Sequence, residues 1–136
     1  MAQIKRKKHI VKTLDLLNDE GKVEKTLSVD IVVDDFRNRY PRVMAEVMKA
    51  QKMLNEKGDD NPEAIIASQI AVKAVFVLVF GEIQTKEFLE FYENEDSESR
   101  YYQAFLDVIP FITDEIMPEV KKAVEMENNR IMGIMK

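Results

Sequence analysis

Residues 76–97, FVLVFGEIQTKEFLEFYENEDS, and residues 101–120, YYQAFLDVIPFITDEIMPEV, decide the fold. The first stretch opens on the end of an apolar helix. Gly81 then supplies a stop signal, and a short aromatic and acidic helix starts near Thr85 and runs to Tyr92, burying Phe88 and Leu89. Residues 94–98 are polar and charged, as a loop requires. Ser97 is placed to cap a last helix that turns Tyr101, Ala104, Phe105, Val108 and Ile109 toward a core. Pro110 predicts a kink or break in that helix, because proline lacks the donor and its ring collides with the preceding turn. Ile112, Ile116, Val120 and Val124 carry the apolar stripe on at four-residue spacing.

Working backward, Asn61-Pro62-Glu63 reads as a helix start: a cap, a proline in the first turn and an acid near the helix dipole. From Ala64 to Phe80 the sequence is apolar nearly all round, which predicts the central helix of a bundle. The apolar run from Ile70 to Phe80 is too short to span a bilayer, and Lys73 interrupts it. Before that, Phe36, Tyr40, Val43, Val47, Ala50 and Leu54 form a helical stripe, widened by Met44 and Met48. Asp34 or Asp35 is the expected cap, and Pro41 predicts either a kink or a later helix start. Residues 57–60, KGDD, end it. Between Ile10 and Ile31 the period changes to two. Leu14 and Leu16 alternate with Thr13 and Asp15. Val23, Leu27, Val29 and Ile31 alternate with Glu24, Thr26, Ser28 and Asp30. Asn18-Asp19-Glu20-Gly21 is the turn between two strands. A lone hairpin is marginal in water, so it has to pack on the helices, and its free edges form a candidate assembly surface. The expected fold is mainly α (α+β): an N-terminal β-hairpin packed on a bundle of about four helices, in one domain over residues 1–136.

Composition narrows the function classes. The 136 residues are 46% apolar and 33% charged, an ordinary globular balance able to bury a core. There is no cysteine, so neither a disulfide framework nor a thiolate metal site exists, and a cytoplasmic location fits. No apolar signal region opens the chain, and no membrane partner is expected. Net charge is −5, which disfavours specific nucleic-acid binding. The charge is uneven. Lys5, Arg6, Lys7 and Lys8 make residues 1–9 a flexible basic arm, whereas residues 82–127 carry thirteen acids against Lys86, Arg100, Lys121 and Lys122. Such asymmetry steers partners and favours self-association, so a homo-oligomer is among the expectations.

Catalytic signals are weak throughout. His9 is the sole histidine and sits among cations as a solvated residue. The adjacent acids Asp34-Asp35, Asp59-Asp60, Glu95-Asp96 and Asp114-Glu115 do not make a catalytic pair, which needs two carboxylates in different environments across a pocket. The glycines never cluster as a phosphate loop does, and the acids lack calcium-loop spacing. The expectation is no catalytic residue, no metal and no cofactor. The C-terminal residues 126–136, MENNRIMGIMK, offer a different signal. Met126, Ile131, Met132, Ile134 and Met135 are apolar side chains near the end of an acidic helix, and methionine suits surfaces that accept more than one shape. These five are the candidate partner-binding residues.

The order of elements resembles the tail assembly chaperones of long-tailed phages and prophages of Gram-positive bacteria. The resemblance rests on the hairpin, the long helix, VFGE at residues 79–82, the aromatic and acidic helix, and FLDVIPFITDEIMPEV at residues 105–120. It implies a non-catalytic protein that binds the tape-measure protein and keeps it soluble while tail tube subunits polymerise around it, with the tail tube protein as a second partner. The family is made in a short and a longer frameshifted form, and this chain matches the short one. Two other readings are a small regulatory or nucleic-acid-binding module that uses the basic arm, and a structural tail component.

Overall fold

The computed structural model describes residues 2–3, 9–92 and 97–135, without the side chains of residues 97–99, 127–128, 130–131 and 134–135. The elements are β1 (His9–Leu17), β2 (Val23–Val32), α1 (Val33–Lys57), α2 (Pro62–Glu90), α3 (Ser97–Phe111), a π-helical turn (Ile112–Ile116) and α4 (Met117–Met135). The fold is mainly α, with one small antiparallel hairpin at its N-terminal end.

The hairpin follows the alternation in its sequence. Ile10, Leu16, Leu27, Val29 and Ile31 are buried on one face. Its turn closes because the Asn18 carboxamide oxygen accepts from the backbone N–H groups of Glu20 and Lys22 at 2.9 and 3.0 Å. Gly21 takes the left-handed φ of 80° that the turn demands. Register runs from His9 opposite Val32 to Leu16 opposite Lys25, and then slips so that Leu17 faces Val23. Beyond this bulge Leu17 and Val23 are exposed, so Val23 is not the inner-face residue that the period of two predicts. His9 is the first residue of β1, not the last of an arm, and its Nδ1 lies 2.7 Å from Asp30 Oδ1. Residues 1 and 4–8 of the expected arm lie outside the described residues.

β2 runs straight into α1. Helix α1 starts at Val33 with no side-chain cap; Asp34 and Asp35 lie within its first turn, where they suit the dipole but do not cap. Buried Val33 and Phe36 anchor this junction from below instead. Pro41 lies inside α1, which runs unbroken to Lys57. The ring is exposed, so the carbonyl it leaves without a donor is open to water. Gly58 ends α1 at φ 90°, and the Asn61 side chain caps α2 by accepting from Glu63 and Ala64 N–H groups.

Within α2, Gly81 has the non-helical φ of 79° and ψ of 169°, so the helix stops there as its sequence predicts and a second helical segment leads on at an angle to Glu90. The bend turns Phe88 back onto Phe76 and Phe80, with ring centroids 5.3 and 5.5 Å away, and Phe80 stacks on Phe111 at 6.2 Å. This aromatic cluster joins the hairpin's inner face, the start of α1 and the α3–α4 rod in one core. Pro110 does not break that rod. The backbone widens to a π-helical turn just after it, and the N–H of Met117 reaches the carbonyl of Ile112. Pro110 and Pro118 both lack a donor, and the one-residue slip in register falls between them.

The expectation of a central helix over Ala64–Phe80 holds for only part of that span. Phe76, Val79 and Phe80 belong to the core, but Ile66 and Ile70 are 57% and 52% exposed. Ala50, Ala64 and Ala71 are buried outside the core cluster, in a seam where α1 packs along α2. Residues 62–71 of α2, with the end of α1 beside them, therefore form a two-helix arm about 15 Å long, at 1.5 Å per residue. Helix α2 is also long and apolar enough to cross a membrane by length and composition, well beyond the short run read from sequence, and 28% of its most apolar stretch is buried.

Candidate functional site

The expected partner-binding residues lie on α4. Its backbone is helical to Met135, but the side chains of Ile131, Ile134 and Met135 lie outside the described residues. Met126 and Met132 are exposed at 61% and 57%. At 100° per residue, Met126 falls roughly 180° around the helix from Met117, while Met132 falls roughly 60° from it. The two methionines thus occupy different faces and do not form one patch.

A site does exist on the Met132 side. Thr113, Met117, Pro118, Val120, Lys121, Val124 and Glu125 line an open groove of about 600 Å³ along the π-helical turn and α4. Met117, Val120 and Val124 make its floor at helical spacing. Lys121 and Glu125 stand at its rim, one turn apart. Pro118 lines the groove beside Met117. The Thr113 hydroxyl donates to the Ile109 carbonyl at 3.0 Å, satisfying an acceptor in the widened turn. Val120 and Val124 are legible in the sequence as a stripe, which reads there as core alone. Their role as a groove floor depends on α4 having no helix packed over that side.

The titratable groups offer little to catalysis. Glu63 is held below the usual carboxylate range by its hydrogen bond and ion pair with Lys57. Tyr92 is pushed well above the usual phenol value by burial, and further by donating to Asp107 Oδ2 at 2.6 Å. Both groups move away from neutrality, so neither serves as a general acid or base there. Among the described residues no three histidine, aspartate or glutamate side chains converge as a metal site would need. An open cavity of about 580 Å³, of mixed polar and apolar lining, lies between Lys73, Val77, Glu82, Lys86, Leu89, Glu90 and Arg100, against the buried Thr85, whose hydroxyl has no partner among the described residues.

The hairpin's outer edge on β2 is clamped at Ser28 from within the chain. Ser28 N–H donates to Gln84 Oε1 at 2.6 Å, and Gln84 Nε2 donates to the Ser28 carbonyl and, at 3.3 Å, to the Phe80 carbonyl. One carboxamide thus imitates a neighbouring strand, and of the two expected free edges only that of β1 lacks such a clamp among the described residues. Sequence reasoning missed Gln84; a lone glutamine after a helix bend carries no local signal. Compared with protein-family models, curated proteins and solved structures, the chain matches none.

Proposed function

We propose that this protein is a non-catalytic phage tail assembly chaperone that binds the tape-measure protein and keeps it soluble during tail tube assembly in the bacterial cytoplasm. The observation that carries the reading is the open apolar groove on α4, with exposed Met132 on the same side. A long amphipathic client is held soluble by covering its apolar stripe, and a groove with a pliable apolar floor suits that task. At the rim Glu125 and Lys121 favour a client with a basic and an acidic residue beside its stripe. The net charge of −5 disfavours nucleic acid as the partner.

The test is co-expression with the tape-measure product of the same gene cluster. Met132→Asp, and separately deletion of residues 130–136, should lower the yield of soluble client while the chaperone's circular dichroism stays unchanged. A full-length protein that neither associates with this client nor raises its solubility removes the reading. Variants that stay folded and solubilise the client as well as wild type remove the α4 site.

A further inference from the structure

We propose that the outward face of the α1–α2 arm is covered by a second copy of this chain, paired about a two-fold axis near Ile70. Ile66, Ile70, Lys73 and Val77 lie along one stripe of α2, on the side opposite the seam residues Ala64 and Ala71. Among the described residues nothing buries Ile66 and Ile70, which stay more than half exposed, while Lys73 and Val77 border the cavity that the segment after Gly81 and Arg100 of α3 also line.

The amount of open surface fits a subunit better than a monomer. The chain exposes 10009 Å² at 15.8 kDa, whereas a compact monomer of that mass exposes about 7,300 Å². Allowing the residues outside the described set their full extended area leaves a surplus of about 1,100 Å² by the same scaling. That is the area one partner gives to an obligate homodimer, roughly 1,000–2,500 Å².

A two-fold contact has to be self-complementary, and this stripe is. Glu63, already paired with Lys57 of its own chain and so shared between two cations in the dimer, lies on the same side at one end, and Lys73 stands among the apolar residues toward the other. Antiparallel pairing of two α2 helices about Ile70 sets each Lys73 level with Ala67 of the second copy. Glu63 of that copy is then one turn away, about 6 Å along the axis, within reach of a lysine side chain. Ile66 and Ile70 of both copies fill the centre.

The chain has no cysteine, so a single introduced thiol reports the axis directly. The full-length protein is examined by light scattering after size exclusion, and by mild oxidation of Ile70→Cys beside Ile83→Cys, which is exposed but off the axis. Wild type should be dimeric at micromolar concentration. Ile70→Cys should form a disulfide-linked dimer and Ile83→Cys should not, because the bond needs Cα atoms within about 7 Å. Ile66→Glu with Ile70→Glu should raise the dimer dissociation constant by more than about tenfold while leaving the helical signal intact. Lys73→Glu should weaken the dimer, and adding Glu63→Lys should restore it. A monomeric wild type overturns the proposal, as does a monomer that α2 instead binds to phosphatidylcholine vesicles. Equal cross-linking of both cysteine variants, or a dimer indifferent to the double glutamate, overturns it too. The readouts need no client, so their failure is separable from failure of the chaperone reading.

Discussion

Residues 64–71 and 76–80 of α2 read alike in sequence, as one apolar helix, and end in opposite surroundings. From Phe76 to Leu89 the helix lies under β2, the start of α1 and the α3–α4 rod, and Phe76 and Phe88 are at most 1% exposed. From Pro62 to Ala71 it buries two small residues, Ala64 and Ala71, and leaves Ile66 and Ile70 more than half exposed. Hydropathy states that a helix has to be covered; topology decides what reaches it. β2 is ten residues long and ends at the base of α1, and the core that the α3–α4 rod joins takes no buried residue of α2 before Phe76. The arm extends past both.

The largest effect expected from this contrast is in the aromatic cluster. Phe76→Ala or Phe88→Ala should cost about 3–5 kcal/mol in denaturant unfolding, because each leaves a ring-sized void among close-packed neighbours. If either variant unfolds like wild type, the bent half is not the core and the contrast collapses.

Gly81 makes the bend within the core half and should come next. Its φ of 79° with ψ of 169° is a conformation that side chains rarely adopt, and a Cβ there would meet no atom within 4 Å. Gly81→Ala should therefore cost about 1–3 kcal/mol from backbone strain alone. An unchanged melting temperature would mean that the bend forms without help from glycine.

Gln84→Ala tests the clamp just past the bend. It removes the partners of Ser28's N–H and carbonyl, and the expected cost is about 1–2 kcal/mol. Faster amide exchange at Ser28 than at its ladder neighbours is the specific sign; equal exchange would count against the clamp.

These positions also mark what the sequence made readable. Asn61 and Gly58 were legible as cap and stop, because their chemistry is local: a carboxamide beside free N–H groups, and a residue free to take positive φ. The hairpin was legible through its alternation and its turn. The start of α1 was not, since buried Val33 and Phe36 fix it without a capping side chain. Nor was the tolerance of Pro41 and Pro110. One faces water, and the other is absorbed by a π-helical turn whose register no single residue encodes. On α4 the methionines were legible as exposed apolar residues, but the groove beside them depends on which face the core leaves open.

Tyr92 adds a smaller effect with a pH signature. Burial and its bond to Asp107 raise its folded pKa, so the folded state holds the phenol proton more tightly than the unfolded chain does. The associated stability is fully present below the unfolded value of about 10 and is lost as pH rises toward the folded value. Tyr92→Phe should cost about 1 kcal/mol at neutral pH and flatten the alkaline decline. An identical alkaline decline in the variant would assign it to other groups.

The smallest effect belongs to the arm, and it depends on concentration. In a dilute, dissociated chain Ile70→Ala removes a side chain that is already 52% exposed, so its stability should stay within about 0.5 kcal/mol of wild type. At higher concentration the two should diverge. A second copy that binds only the folded chain stabilises it by mass action, so the wild-type melting temperature should rise with protein concentration while that of Ile70→Ala rises less. Two isoleucines at positions 66 and 70 thus have a stability contribution set by how much protein is present, whereas Phe76 has one set by the fold alone. A loss at Ile70 as large as that at Phe76, and equal at every concentration, would place the arm inside the chain's own core and erase the difference between the two halves of α2.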